Sequence, residues 1–253
     1  MHTAKLAASL LVLLALVLSA TPARAETVDC TAITTLPAVI TVQGVYCFTG
    51  KLSTAMTSGN AIDIQADNVV LDLNGFKLGG LAAGPGTQTY GIFANDRQNI
   101  TIKNGTIRGF YEGILLIGAS QGHIVEDIRA DQNTFAGIVV GGSGNIVRNN
   151  QVVATGGTTV FGANANAAGI VVAGAGPRVL NNDVINTVKQ GTGTAWGIRF
   201  EVVTGGLAVN NRITAADIGI DFTDSTGKYR DTLTFSVPTP TRFVGGTAVG
   251  TND

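Results

Sequence analysis

Histidine, cysteine, methionine and tryptophan are all scarce in this chain of 253 residues, which has 2 His, 2 Cys, 2 Met and 1 Trp. Outside the first 25 residues the sole imidazole is His123. A zinc site takes three or four nitrogen, sulfur or oxygen ligands at close quarters, and no such cluster is written here. No metal and no cofactor is therefore expected. Charge is scarce too: Asp, Glu, Lys and Arg make up 13% of the chain, against about 25% in ordinary soluble domains. No clustered basic stretch occurs, which excludes the electrostatic footprint of a nucleic-acid partner.

Long apolar runs are also missing, with one exception. Leu6 to Ala20 is nearly unbroken, is preceded by His2 and Lys5, and is followed by Ala23-Arg24-Ala25. It is shorter than the ~20 residues that span a bilayer and has the layout of a secretory signal peptide cleaved near Ala25. The expected mature protein is exported, periplasmic or secreted, with no membrane span. Cleavage removes Lys5 and Arg24 from the 16 basic residues and none of the 17 acidic ones, leaving 14 against 17, a net charge of −3. In an oxidising compartment Cys30 and Cys47 are expected to form one disulfide, stapling an N-terminal cap over residues 26–50.

What the chain does have is glycine (34 residues), paired asparagines, and abundant Val and Ile. Disordered chains are poor in Val and Ile, so order is expected. The glycines recur in a pattern. Gly-Ile pairs fall at Gly91-Ile92, Gly113-Ile114, Gly137-Ile138, Gly169-Ile170, Gly197-Ile198 and Gly219-Ile220, with Ala61-Ile62 as an earlier member. The isoleucines are 30, 22, 24, 32, 28 and 22 residues apart. The shortest spacing is the unit, and the longer ones are the same unit with an inserted loop. Each unit continues through short β-branched segments around a polar corner, as in "NITIKNGTI", "NIVRNNQVV", "PRVLNNDVI" and "LAVNNRITA". Segments of four to six residues bounded by Gly and Asn are strands rather than helices. Three strands and three corners per unit make one turn of a coil, and stacked coils form parallel sheets.

Asparagine tolerates left-handed backbone and bonds its own main chain, which suits a sharp corner. Asn150, Asn182 and Asn211 are expected to stack as an internal amide ladder, extended N-terminally by Asn104. "HIVEDIRAD" has Glu126-Asp127 at that corner, so one unit breaks the ladder or fills it with a carboxylate.

"DNVVLDLNGFKL", "GILLIG" and "GNIVRNNQVV" resemble the right-handed parallel β-helix proteins of the pectin-lyase-like superfamily, through their generic carbohydrate-binding and sugar-hydrolase repeat. The resemblance covers about Asn60 to Asp224. It implies an all-β, right-handed parallel β-helix of about seven coils over residues 51–227. Residues 228–253 are then a C-terminal cap, because Pro238 and Pro240 should stop the repeat. A monomer is expected. The resemblance implies a fold and no single activity, since that superfamily holds lyases, hydrolases, epimerases and adhesins.

Side chains alternate along a strand, so if each isoleucine points inward the next residue points outward. That row reads Phe93, Leu115, Val139, Val171, Arg199, Asp221. Its middle is bare of acids, while its C-terminal end gathers Trp196, Arg199, Glu201 and Asp221. Loops at 154–168 and 187–195 would wall this group. Glu201 and Asp221 are the candidate carboxylate pair for glycoside hydrolysis, with Trp196 and Arg199 as substrate contacts. Tyr90, Tyr111 and Glu112 form a second candidate glycan patch. His123 is a candidate general base with no acid placed to orient it. Two functions follow. The first is binding of a polysaccharide or cell-surface glycan, or a structural role; the second is a polysaccharide lyase or glycoside hydrolase acting on an acidic polysaccharide.

Overall fold

A computed structural model of the chain describes residues 29–243 and 246–251; the expected signal peptide lies outside them. Among these residues the only helix is the short 3-10 turn Leu81–Ala83, and the other regular elements are strands. The strands stack as parallel columns. One sheet holds nine strands: Ala38–Ile40, Ser58–Ile64, Gln88–Asn95, Glu112–Ile117, Ala136–Val140, Ala167–Ala175, Ala195–Thr204, Ile218–Phe222 and Thr239–Phe243. The remaining strands form a 16-stranded sheet that is two columns in one. Thr101–Arg108 and Ile124–Asp131 run unbroken round the corner between those columns, whereas later rungs split there, as at Ile146–Arg148 and Gln151–Val153.

The nine first-sheet strands exceed the seven coils expected from the Gly-Ile pairs because both ends enter the stack. Ala38–Ile40 pairs with Ser58–Ile64, and Thr239–Phe243 pairs with Ile218–Phe222. The C-terminal segment therefore does not leave the repeat at Lys228. Gly227–Arg230 and Leu233–Phe235 pair in parallel with the preceding rung, and Pro240 sits on an edge strand, where proline is tolerated.

The isoleucines line up. Ile62, Ile92, Ile114, Ile138, Ile170, Ile198 and Ile220 are register partners from rung to rung, and all are fully buried. A second inward column, Ile64, Ala94, Leu116, Val140, Val172, Phe200, Phe222, completes the core on this side, with Phe200 and Phe222 stacked at 4.2 Å. The glycine before each isoleucine is required for space. A Cβ on Gly137 would lie 2.7 Å from the Gly169 carbonyl oxygen and 2.5 Å from a Val152 methyl. Gly113, Gly169 and Gly197 meet the next rung's glycine carbonyl at 2.6, 2.6 and 2.8 Å. Each glycine thus lets the third column pack against the first.

At the corners the two asparagines of a pair divide the work. Asn149, Asn181 and Asn210 take the left-handed backbone. Asn150, Asn182 and Asn211 turn inward and are buried. Asn182 Oδ1 accepts from the backbone N–H of Asn150 at 3.0 Å and from its Nδ2 at 3.1 Å, and Asn211 Oδ1 does the same for Asn182. The ladder ends at Ile128, whose N–H donates to Asn150 Oδ1. Asn104 does not extend it: with φ 57° it is a corner residue of the Asn149 kind, and its Nδ2 donates to Asp72 Oδ1. Asp127 turns the corner in the same way, and Glu126 points out to pair with Arg148. Cys30 and Cys47 are bonded, with Cα atoms 5.8 Å apart.

Candidate functional site

The outward face of the first sheet carries two columns that matter. One runs Asn60, Tyr90, Glu112, Ala136, Ala168, Trp196, Ile218. The other is the expected row, Phe93, Leu115, Val139, Val171, Arg199, Asp221, which the structure extends N-terminally to Asp63. In the first column two alanines lie between Glu112 and Trp196. Small side chains flanked by large ones leave a hollow, a partly open cavity of about 210 Å³. Ala136, Ala168, Val139 and Val171 form its floor; Glu112 and Phe135 close one end, and Trp196, Arg199 and Glu201 the other. Asn166, from the inserted loop at 154–168, adds a polar wall.

At the C-terminal end the Arg199 guanidinium carbon lies 4.6 Å from the centre of the Trp196 ring. Arg199 also pairs with Glu201 at 3.2 Å, the expected outward Glu201 being its neighbour on the same strand. At the N-terminal end Glu112 is 8% exposed and its Oε2 is buried without a hydrogen-bond partner. Burial pushes its carboxyl up to about 7, because a charge in a poorly solvated site is costly. Five aromatic rings surround this end. Tyr111 stacks on Phe135 at 4.8 Å, the rung spacing, and Tyr90 lies 5.7 Å from Phe93 and 6.1 Å from Tyr111. Phe161, from the same inserted loop as Asn166, leans on Phe135 at 5.7 Å and is half exposed. Burial, then the charges of Glu112 and Tyr90, push the Tyr111 phenol up to about 12, and Tyr90 is raised by burial and by Glu112.

The structure therefore brings Trp196, Arg199, Glu201 and Glu112 to one cavity, with Tyr90 and Tyr111 beside it. Asp221 is not in it. That side chain is fully buried, and its Oδ1 accepts from the N–H of Thr223 at 2.9 Å and from its hydroxyl at 2.6 Å. Glu201 and Asp221 thus do not face a common opening. Glu112 and Glu201 do, but they stand three rungs and five strand positions apart, roughly 22 Å between Cα atoms at ~4.8 Å per rung and ~3.3 Å per residue. Two glutamate side chains do not close that gap to the ~5–9.5 Å that two-carboxylate hydrolysis uses.

His123 lies elsewhere, in a separate stack with Ile100 and Asn145. It is fully buried, its Nδ1 accepts the N–H of Ile100 at 3.1 Å, and its own N–H donates to Asn145 Oδ1 at 2.8 Å. Burial pulls its imidazole down to about 4, against an opposing pull from Asp67. Among the described residues, no group of three or more His, Cys, Asp or Glu side chains gathers as metal ligands do. Phe135 and Ala136 escaped the reading of the sequence, while Phe161, Asn166 and Ala168 lie in the loop at 154–168 that was expected as a wall but were not singled out within it. The usable signal was Ala136 and Ala168 at equal spacing before consecutive isoleucines of the repeat.

Comparison with known proteins concerns the fold. The sequence profile of the right handed beta helix region matches residues 54–196 and 90–237. No curated protein matches the chain. Among solved structures, the Dettilon tailspike protein (gp208) superposes with a TM-score of 0.51 at 13% identity, over 87% of this chain and 54% of that one. The enzymatically active domain of bacteriophage CBA120 tailspike protein 2 gives 0.50 at 14% identity, over 87% and 38%. Pectate lyase Pel9A gives 0.44 at 11% identity, over 90% and 67%. The chain spans about half the length of the first tailspike and 38% of the second.

Proposed function

The chain belongs to the right-handed β-helix family, and on that premise we propose that it is an exported protein that binds a polysaccharide along the outward face of its first sheet. The observation that carries this reading is the cavity between Glu112 and Trp196, floored by Ala136 and Ala168 and continued by the shelf of Tyr90, Phe93, Tyr111, Phe135 and Phe161. Aromatic faces pack against the apolar face of a sugar ring, while a few convergent polar groups take its hydroxyls. Here Asn166, Arg199, Glu201 and Glu112 are those groups. At about 210 Å³ the cavity is smaller than the ~300–1,000 Å³ that encloses a drug-sized ligand. It suits one residue of a chain whose neighbours rest on the shelf. The wide separation of Glu112 and Glu201 favours holding the chain over hydrolysing it.

Export is supported by the expected leader, by the disulfide between Cys30 and Cys47, and by the lack of any long apolar helix among the described residues. Trp196 is the chain's only tryptophan, so its fluorescence reports on the cavity alone. Titration with acidic, neutral and amino polysaccharide fragments is expected to give a saturable change with at least one class. A flat response to all three would overturn the proposal.

A second reading rests on Glu112. A carboxyl pushed up to about 7 is suited to proton transfer near neutral pH, which supports a lyase or hydrolase acting on a polysaccharide. It requires new reducing ends, or an unsaturated product absorbing in the ultraviolet, from a fragment that binds; intact fragment after prolonged incubation would exclude it.

A further inference from the structure

Glu112 raises a question that binding of sugar hydroxyls leaves open. A carboxyl this deeply buried is destabilising unless something neutralises it, yet no ion pair among the described residues reaches it and its Oε2 has no partner. The residues lining the cavity hold two carboxyl groups and one guanidinium. Arg199 and Glu201 satisfy each other at 3.2 Å, and the guanidinium is further held over the Trp196 ring. Of the cavity's charged groups that leaves only Glu112 without a partner. The Trp196 indole N–H is the other buried polar group of the lining that lacks one. The carboxylate form of Glu112 thus has no counter-charge. Arg199 is too distant to supply it, since three rungs and three strand positions put its Cα roughly 17 Å from that of Glu112.

The surroundings of Glu112 are those of a cation site. Tyr90 is its register partner on the preceding rung, and Tyr111 precedes it in the chain and stacks on Phe135. Aromatic faces attract an ammonium group through their quadrupole, the more so when water is excluded. Ala136, the register partner on the following side, leaves the space in which such a group would sit. Both phenols are raised, so they stay neutral at working pH and do not compete as anions.

Resting on the glycan reading above, we infer that the Glu112 end of the cavity recognises a protonated amine carried by the polysaccharide, that is, a hexosamine residue whose nitrogen is free rather than acetylated. The amine donates to the Glu112 carboxylate and lies against the faces of Tyr90 and Tyr111, while adjoining sugar rings extend over the floor toward Trp196. The two partners exchange no covalent bond. Binding shifts Glu112 from acid to carboxylate, so a proton leaves to solvent when the ammonium arrives. The other titratable groups that face the site are Tyr90 and Tyr111 beside it and Arg199 and Glu201 across the cavity. A guanidinium paired to its own carboxylate and neutral phenols leave this proton to Glu112.

The test uses the full chain at pH 6 with three probes of one length: a glucosamine hexamer, its fully N-acetylated form, and a glucose hexamer. Affinity is read by Trp196 fluorescence, and proton release by calorimetry in two buffers of different ionisation heat. The glucosamine hexamer is expected to bind about tenfold more tightly than the other two, as a charge-assisted hydrogen bond supplies, with net proton release. Glu112→Gln keeps the shape of the site and is expected to abolish both the preference and the release; thermal melting confirms that the variant is folded. Equal affinity for all three probes, or a preference that survives in Glu112→Gln, overturns the amine inference and leaves glycan binding standing. Binding of none of the three overturns the inference, and only a flat response to acidic fragments as well removes the glycan reading.

Discussion

Glu112 and His123 are both buried ionisable side chains, and burial shifts them in opposite senses of stability. The carboxyl of Glu112 is raised from 4.5 to about 7, so the folded chain keeps a proton that the unfolded chain releases. Its contribution is present below pH 4.5 and is lost as pH rises through about 7. Glu112→Gln removes that loss. It should raise the stability at pH 8, read as a higher melting temperature, by on the order of 3 kcal/mol at most, and change little at pH 4. His123 runs the other way: lowered from 6.5 to about 4, it contributes fully above pH 6.5 and loses that contribution as pH falls through about 4. Because Asn145 fills the matching place one rung on, His123→Asn should fold and flatten the acid-side decline in melting temperature. His123→Ala strands the Ile100 N–H and should cost roughly 1–3 kcal/mol in chemical denaturation. The sequence showed both residues and the aromatic company of Glu112. It could not show the burial of Glu112, because Phe135 and Phe161, which help enclose it, come from the next rung and from an inserted loop. Asp221 is the reverse case: its place in the outward row was legible, and its burial beneath the C-terminal rung was not.

A single rung is held by the glycine that admits its neighbour and by the asparagine that ties its corner. Gly137→Ala should destabilise by about 1–3 kcal/mol through overpacking, since the added methyl meets both Val152 and the Gly169 carbonyl. Backbone strain is not the cause, so no substitution with a side chain escapes it. Asn182 serves its own corner and both adjoining rungs, accepting from Asn150 and donating to the Val147 carbonyl and to Asn211. Asn182→Ala leaves several buried groups unpaired and should cost on the order of 3 kcal/mol, measured by equilibrium denaturation. The inward isoleucines and the corner asparagines were legible because both repeat at the period of the coil. Asn104 misled because it shares the motif of a corner without the second asparagine. Gly105 follows it, and an added Cβ there would meet Leu73 at 2.4 Å. The terminal rungs were illegible for a related reason: Ala38–Ile40 and Thr239–Phe243 keep the register while dropping the Gly-Ile signature.

As a whole the molecule is a stack in which each rung meets mainly the next, so its stability is close to a sum over neighbours. Its surface is organised the same way, in columns, and function enters where a column changes character. From Tyr90 to Trp196 the first outward column passes from an aromatic, through a buried acid and two alanines, to an indole held under a guanidinium. The distance between Glu112 and Trp196 is set by counting rungs, and the depth between them by the alanines. Ala136→Leu fills that depth, beside Glu112, while leaving every polar side chain of the site in the sequence. The most direct test is therefore a Trp196 fluorescence titration with a binding polysaccharide fragment, run on the wild-type chain and on Ala136→Leu. A saturable change in the wild type, weakened at least tenfold in a variant that melts as a folded protein, is the expected result. Equal affinity in the two chains would contradict the cavity as the place where the ligand sits.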